Sequence, residues 1–336
     1  MGLAWRTGSV VLAALLVAGG YCAAQENPLE DVHTVAPPPA PPKDKPLTVG
    51  TPEPGHVAGP SIHVNVDLVL VPVTVTDPMN RLVTGLEREN FQVYDNNTGQ
   101  TIKSFATEDA PLSIGIVFDL SGSMSSKFIR ARKALSEFLR TCNPQDEFFV
   151  VGFNDRPAII VDYTSDVEDV EARMVMLRPQ NRTALIDAMY LGVNKLKQAK
   201  YDRKALLVIS DGGDNRSRYT QGELTRSVRE SEVQVYSMGI FDAYAPTEEE
   251  QNGPGLLKEV SESTGGRLFI VHEMQDLSDI AERISEELRD EYVLGYTPTD
   301  RRRDGTWRKL KVRLLPPPGL PLLTAHSREG YYAPSQ

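Results

Sequence analysis

The stretch that decides the fold is Ile114-Gly115-Ile116-Val117-Phe118-Asp119-Leu120-Ser121-Gly122-Ser123. Its first five residues form a near-continuous apolar run, which is typical of a strand covered on both faces of a parallel sheet. An aspartate and two serines follow at every second position, and a helix is predicted directly after them, over about 125–141. Gly122 lets the turn close without crowding from a Cβ atom. The stretch therefore predicts a strand–turn–helix unit with three polar side chains at the end of the strand.

Strand and helix patterns alternate through residues 111–289. Short apolar runs rich in β-branched residues predict strands, and apolar residues at helical spacing predict helices. This alternation predicts an α/β fold, a doubly wound, Rossmann-like sheet with helices on both faces. Further strands are predicted at 148–153, 159–161, 205–210, 233–238 and 267–270, and further helices near 167–177, 184–199, 221–230, 254–263 and 277–288.

The segments on either side of this domain have β character. Residues 61–110 show apolar and polar residues in alternation, and residues 290–336 contain two or three further strand patterns. Each segment is too small to be stable alone. Together they offer about six or seven strands, so we expect one small β-sandwich into which the α/β domain is inserted.

The N-terminus has the features of an export signal. Arg6 precedes an apolar run, Val10–Ala18, that is roughly half the length of a membrane span. Small residues follow, and residues 1–24 are predicted to be a cleaved signal peptide. A lipid anchor at Cys22 is an alternative, but Tyr21 fits a lipoprotein cleavage site poorly. Residues 25–60 are rich in proline and predict a disordered tether.

This organisation predicts an exported protein that is periplasmic, secreted or on the cell surface, with no membrane span in the mature chain. The sequence of 336 residues is 24% charged, with a formal net charge of -10. An acidic chain of this kind is not expected to bind nucleic acid. Its two cysteines cannot form a four-cysteine zinc site.

Two further polar residues are predicted to lie at the same edge of the sheet as Asp119. Thr183 opens a predicted helix, and Asp211 ends the strand 205–210. Ligands bind at the carboxyl ends of the strands in doubly wound sheets. These donors are carboxylates and hydroxyls, which suit Mg²⁺, with Mn²⁺ or Ca²⁺ as alternatives. The predicted metal ligands are Asp119, Ser121, Ser123, Thr183 and Asp211.

The spacing of these five residues resembles the metal-ion-dependent adhesion site of the von Willebrand factor type A domain. The resemblance implies that Ser121, Ser123 and Thr183 ligate the metal directly and that Asp119 and Asp211 act mainly through water. The flanks resemble the acidobacterial von Willebrand factor A-related family of exported proteins. That resemblance spans roughly 64–333 and rests on the segments at Gly85–Tyr94, Tyr292–Tyr296, Gly305–Arg308 and Arg328–Tyr332.

The function expected from this site is metal-dependent protein binding of the adhesion type, in which a partner presents an Asp or Glu to the metal. A structural envelope component with a fold-stabilising metal is an alternative, and a metal-dependent hydrolase is a weaker one. The sequence has no P-loop and no nucleophile elbow, so no enzyme activity is expected. Arg182, next to Thr183, is expected either to weaken metal binding or to grip an acidic partner.

Overall fold

The computed structural model describes residues 68–108, 110–241 and 248–335. The predicted signal peptide (1–24), the predicted tether (25–60) and the first residues of the predicted sandwich segment lie outside these ranges. Within them, no helix has both the length and the apolar character needed to cross a membrane.

Between residues 111 and 289 the strands and helices follow one another in the predicted order, and the flanking segments form eight strands where about six or seven were predicted. The strands are β1 (Val69–Thr76), β2 (Phe91–Asp95), β3 (Thr98–Gln100), β4 (Ile102–Glu108), β5 (Ser113–Asp119), β6 (Glu147–Phe153), β7 (Pro157–Thr164), β8 (Lys204–Ser210), β9 (Gln234–Gly239), β10 (Leu268–Ile270), β11 (Glu291–Tyr296), β12 (Trp307–Leu314), β13 (Thr324–Ser327) and β14 (Gly330–Tyr332). The helices are α1 (Phe128–Thr141), α2 (Val167–Val175), α3 (Leu185–Leu196), α4 (Gln221–Glu230), α5 (Glu248–Ser263) and α6 (Asp276–Arg289).

The central sheet has the strand order β10-β9-β8-β5-β6-β7. β5 is buried along its whole length and pairs in parallel with β6 on one side and β8 on the other. The chain passes from β5 to β6 and later returns to add β8 on the opposite side, so a topological switch point lies between β5 and β8. Such a point is where doubly wound sheets bind their ligands.

Helices cover both faces of this sheet, as the apolar character of β5 requires. Ile116 and Phe118 pack with α1, α2 and α6 in one core, and Val117 packs with α3, α4 and α5 in a second core. The predicted α/β fold is therefore confirmed. β7 departs from the parallel arrangement, because it forms a tight hairpin with β6 and runs antiparallel to it.

Two four-stranded antiparallel sheets form the second part of the fold, with the orders β13-β1-β11-β4 and β14-β12-β2-β3. Each sheet combines strands that precede the α/β domain with strands that follow it. β1 pairs with β11, for example, and β2 pairs with β12. The inner faces share a third core, in which the Asp95 carboxylate accepts hydrogen bonds from the hydroxyls of Tyr296 and Tyr331, at 2.9 and 2.8 Å.

The α/β domain enters and leaves the sandwich at one place. β4 and β11 are antiparallel neighbours, and Glu108 at the end of β4 pairs with Glu291 at the start of β11. The carboxylate of Glu291 is buried against Arg203 and Gln234, which belong to the α/β domain. Glu291 therefore joins the two parts of the fold.

We expect the sandwich to fold without the α/β domain if its two halves are joined. Because Glu108 and Glu291 are paired, residues 109–290 can be replaced by an Asn-Gly turn, which favours a two-residue hairpin. This variant should unfold cooperatively on heating, as followed by circular dichroism. Residues 61–110 alone should show no transition, since β1, β2 and β4 lose their partners. A stable, cooperative fragment 61–110 would contradict the insertion.

The junction should also make stability depend on pH. Burial raises the pKa of Glu291 to about 7, and the charge of Glu287 adds to the rise, whereas Arg203 and Gln234 oppose it. The pKa of glutamate in an unfolded chain is about 4.3, so at a pH between this value and about 7 the folded chain binds more protons than the unfolded chain. The free energy of unfolding should therefore fall as the pH rises through this window, by roughly 3 to 4 kcal/mol.

The measurement is urea denaturation of the wild type and of Glu291→Gln at pH values from 4 to 8. The glutamine cannot titrate, so the stability of the wild type relative to the variant should decline up to about pH 7 and then level off. Loss of the partner of Arg203 adds an offset that does not vary with pH. Parallel stability curves for the two proteins would show that Glu291 does not titrate in this range.

Candidate metal centre

The turn after β5 brings three of the predicted ligands together. Asp119, the last residue of β5, is fully buried, and its Oδ1 accepts a hydrogen bond of 2.8 Å from the backbone N–H of Ser121. The hydroxyl oxygens of Ser121 and Ser123 lie 3.0 Å apart. The carboxylate and both hydroxyls thus lie within one turn at the carboxyl edge of the sheet.

Gly122 fastens this turn to the loop that carries Thr183. Its N–H donates to the carbonyl oxygen of Asn181 at 2.9 Å, and a Cβ atom at this position would lie 3.1 Å from that oxygen. Asn181 has a φ of 69°, in the left-handed region that asparagine tolerates better than most residues. The close approach of the two loops therefore favours glycine at one position and asparagine at the other.

Thr183 is buried and is held by its backbone. Its N–H donates to Oδ1 of Asn215 at 3.1 Å, and its carbonyl accepts from the N–H groups of Asn215 and Arg216, both at 3.0 Å. Its hydroxyl forms no hydrogen bond with another residue in the described part of the chain. Asp214 accepts a hydrogen bond of 2.9 Å from the N–H of Ile186, in the first turn of α3. Asp214 and Asn215 thus hold neighbouring loops together.

Asp211 lies directly after β8 and is fully buried. Its Oδ1 accepts from the N–H of Gly213 at 3.2 Å, and its Oδ2 accepts from Nζ of Lys127 at 2.7 Å. The neighbouring Ser210 donates its hydroxyl to Oδ2 of Asp119 at 2.6 Å. This bond joins the ends of the adjacent strands β5 and β8 across the switch point.

The buried carboxylates of Asp119 and Asp211 affect each other. Burial raises the pKa of Asp119 to about 7, and the negative charge of Asp211 adds to the rise. Hydrogen bonds from Ser121 and Ser210 act in the opposite direction. The site is therefore one in which a positive charge would stabilise both carboxylates in their ionised form.

Lys127 supplies one such charge and is a residue that the sequence analysis did not select. Its side chain is only 4% exposed, and its ammonium group forms an ion pair with Asp211. It immediately precedes α1, four positions after Ser123. A lysine in a sequence normally indicates an exposed position, so the pattern gave no sign of this contact.

The donor chemistry of the site fits a hard cation. All the predicted ligands offer oxygen, and two of them are carboxylates that favour a nearby positive charge. In the described ranges, no three His, Cys, Asp or Glu side chains are grouped so that they could hold a metal. The hydroxyls of Ser121, Ser123 and Thr183 are the further oxygen donors that the predicted site offers besides the two carboxylates.

Residues 114–213 match the family model of the von Willebrand factor type A domain. A curated relative, an uncharacterized protein from Borreliella burgdorferi, is 24% identical over 187 residues, which are 49% of this chain and 55% of the relative. The chain thus spans about half the length of that relative.

Several solved structures are similar to this chain. They include BatB from Bacteroides thetaiotaomicron (17% identity, 52% of this chain and 98% of that one, TM-score 0.44). A von Willebrand factor type A protein from Catenulispora acidiphila is 13% identical and covers 71% of this chain and 72% of its own, with a TM-score of 0.46. The vWF domain of the pilus tip protein Mfa5 from Porphyromonas gingivalis is 11% identical (54% and 95%, TM-score 0.44).

The matched residues run from β5 through β8 to the loop that carries Asp211, so they contain all five predicted ligands. The order of strands and helices over the same range is that of a doubly wound sheet. Residues 114–213 are therefore similar to the von Willebrand factor type A domain.

Proposed function

We propose that this protein is an exported binding module that holds Mg²⁺ at the carboxyl edge of its central sheet and, through it, an Asp or Glu of a partner protein. Many von Willebrand factor type A domains are adhesion or protein-interaction modules. The observation that carries the proposal is the pair of buried carboxylates, Asp119 and Asp211, next to converging hydroxyls. The export signal predicted over residues 1–24 supports a role outside the cytoplasm.

The roles of the individual residues follow from their chemistry. Ser121, Ser123 and Thr183 would supply neutral hydroxyl oxygens to the cation, and Asp119 and Asp211 would supply the negative charge. A cation with few charged ligands remains electrophilic and can accept a carboxylate from outside. The hydrogen bond from Ser210 to Asp119 keeps the two carboxylate-bearing strand ends together.

The surroundings of the two serines favour binding over catalysis. A hydrolytic serine needs a base within hydrogen-bond reach. The hydroxyl of Ser121 contacts that of Ser123, and Asp119 is engaged by Ser121 and Ser210. Of the histidines in the described ranges, His326 lies in the sandwich, 2.9 Å from the hydroxyl of Thr76.

The ion pair of Lys127 with Asp211 gives the site a positive charge of its own. A cation that approaches Asp211 is repelled by this ammonium group, so Lys127 should lower the affinity for Mg²⁺ while stabilising the metal-free protein. Lys127 would in this way set how strongly the domain depends on metal.

Removing single hydroxyls should weaken metal binding without unfolding the protein. We expect Thr183→Ala and Ser123→Ala to reduce Mg²⁺ affinity by at least about tenfold in calorimetric titrations, since each removes one ligand. Ser126→Ala is the matched control, because Ser126 is exposed in the same turn and lies outside the donor set. Unchanged affinity in both site variants would refute the metal site.

A second measurement separates adhesion from a structural role. A labelled synthetic peptide with one glutamate should bind in Mg²⁺ and should lose binding in EDTA and in Thr183→Ala. If EDTA lowers the melting temperature but leaves peptide binding unchanged, the metal serves the fold alone.

Lys127→Met keeps the apolar stem of the side chain and removes the charge. In EDTA this variant should be destabilised by about 3 kcal/mol, because a buried ion pair loses one partner. Adding Mg²⁺ should raise the melting temperature more in the variant than in the wild type. Lys133→Met, at an exposed position of α1, should behave like the wild type in both conditions. Equal stability of the two variants in EDTA would contradict the proposed role of Lys127.

A further inference from the structure

Three arginines surround a cavity beside the candidate metal centre. The cavity has a volume of about 620 Å³ and is lined by Asn154, Asp155, Arg156, Arg182 and Arg216. The arginines come from three different loops, all at the carboxyl edge of the central sheet. Arg156 lies between β6 and β7, Arg182 precedes Thr183, and Arg216 lies in the loop after β8.

Backbone hydrogen bonds hold these loops in place. The N–H of Arg182 donates to Oδ1 of Asp155 at 3.0 Å, and the N–H of Arg216 donates to the carbonyl of Thr183 at 3.0 Å. The N–H of Ala184 donates to the carbonyl of Asn154 at 2.9 Å. The three arginines thus lie on loops that hydrogen bonds hold together, and one of these loops carries the predicted ligand Thr183.

The charges of this cavity are not balanced within the described part of the chain. The guanidinium groups of Arg156, Arg182 and Arg216 form no hydrogen bond or ion pair there, and all three residues are exposed. The cavity offers one carboxylate, that of Asp155, to three positive charges. Some other arginines are paired, as Arg203 is with Glu291 and Arg267 is with Glu287.

Positive charges gathered in one place on the surface attract negatively charged ligands. The chain as a whole carries a formal net charge of -10, so this cavity stands out from its surroundings. A guanidinium group binds carboxylates well, because its planar fork can donate two parallel hydrogen bonds. The cavity is therefore suited to carboxylates.

We propose that this arginine rim, defined as Arg156, Arg182 and Arg216, binds a second acidic side chain of the partner segment whose first acidic group is held at the metal. The proposal rests on the proposed function for the position of the first group. Arg182 is adjacent to Thr183, so neighbouring acidic residues of one peptide can reach both places. The partner is accordingly a peptide segment with several acidic residues.

A second cavity extends this surface and supports a peptide as the ligand. It has a volume of about 800 Å³, shares Asp155, Arg156 and Arg216 with the first cavity, and is also lined by Tyr190 and Tyr219. The two tyrosine rings are stacked, with centroids 4.1 Å apart. This combination of charge and aromatic surface suits an extended chain with mixed side chains. A long polyanion such as DNA would be repelled by the acidic remainder of the protein.

The test compares two labelled peptides of equal length by fluorescence anisotropy in Mg²⁺ at low salt. One peptide contains a run of alternating glutamate and glycine, and the other keeps one glutamate and has glutamine in place of the rest. The wild type should bind the first peptide more tightly than the second. The triple variant Arg156→Gln, Arg182→Gln and Arg216→Gln should bind the first peptide about tenfold more weakly and the second peptide unchanged.

A matched control has the same change in net charge away from the rim. It carries Arg226→Gln, Arg283→Gln and Lys133→Gln, which replace exposed residues on α4, α6 and α1. The proposal is overturned if the control and the rim variant lose affinity equally, or if the rim variant binds the first peptide like the wild type. It is also overturned if a single-stranded DNA oligonucleotide binds the rim as tightly as the acidic peptide.

This experiment tests the proposed metal function and the proposed role of the arginine rim separately. One outcome is that both peptides stay bound in EDTA and in Thr183→Ala while the rim variant binds the acidic peptide about tenfold more weakly. In that case the proposed metal function is wrong and the proposed role of the arginine rim is supported. If binding depends on Mg²⁺ but not on the rim, the metal function stands and the rim is wrong. Circular dichroism shows whether the rim variant is folded, and calorimetric Mg²⁺ titration compares its metal affinity with that of the wild type.

Discussion

The arrangement of the site depends on two carboxylates buried at the ends of neighbouring strands. Asp119 and Asp211 lie on either side of the switch point, and the Ser210 hydroxyl joins the strand that precedes Asp211 to the carboxylate of Asp119. Burial of two like charges is unfavourable without a positive partner. Lys127 supplies one positive charge through its ion pair with Asp211. The oxygen donors near the two carboxylates suit a further cation. The loops at the carboxyl edge of the central sheet surround these two carboxylates.

The sandwich depends on a different constraint, namely that the α/β domain leaves and returns at paired residues. Because Glu108 is paired with Glu291, the insertion disturbs neither sheet of the sandwich. The side chain of Glu291 also contacts Arg203 and Gln234. One residue therefore takes part both in the strand pairing of the sandwich and in the packing of the inserted domain. This explains how two β-rich segments that are far apart in sequence form one core.

Features that local sequence patterns encode could be predicted. The apolar run before Asp119 and the alternation after it identified the doubly wound sheet, because burial on both faces leaves a clear signature. Lys127 was missed because its burial depends on a residue 84 positions away. The arginine rim was missed as a group because its members come from three separate loops. The antiparallel direction of β7 was also not predicted, since the pattern of an apolar run does not encode its direction.

The position of β5 has a mechanical consequence. This strand begins beside the sandwich and ends at Asp119, so its seven residues separate the two by about 20 Å. A pull applied at the carboxyl edge and resisted at the sandwich acts along the strand. Its hydrogen bonds to β6 and β8 are then loaded side by side in shear instead of being opened one after another. This fully buried strand is thus also placed to carry tension between its two ends.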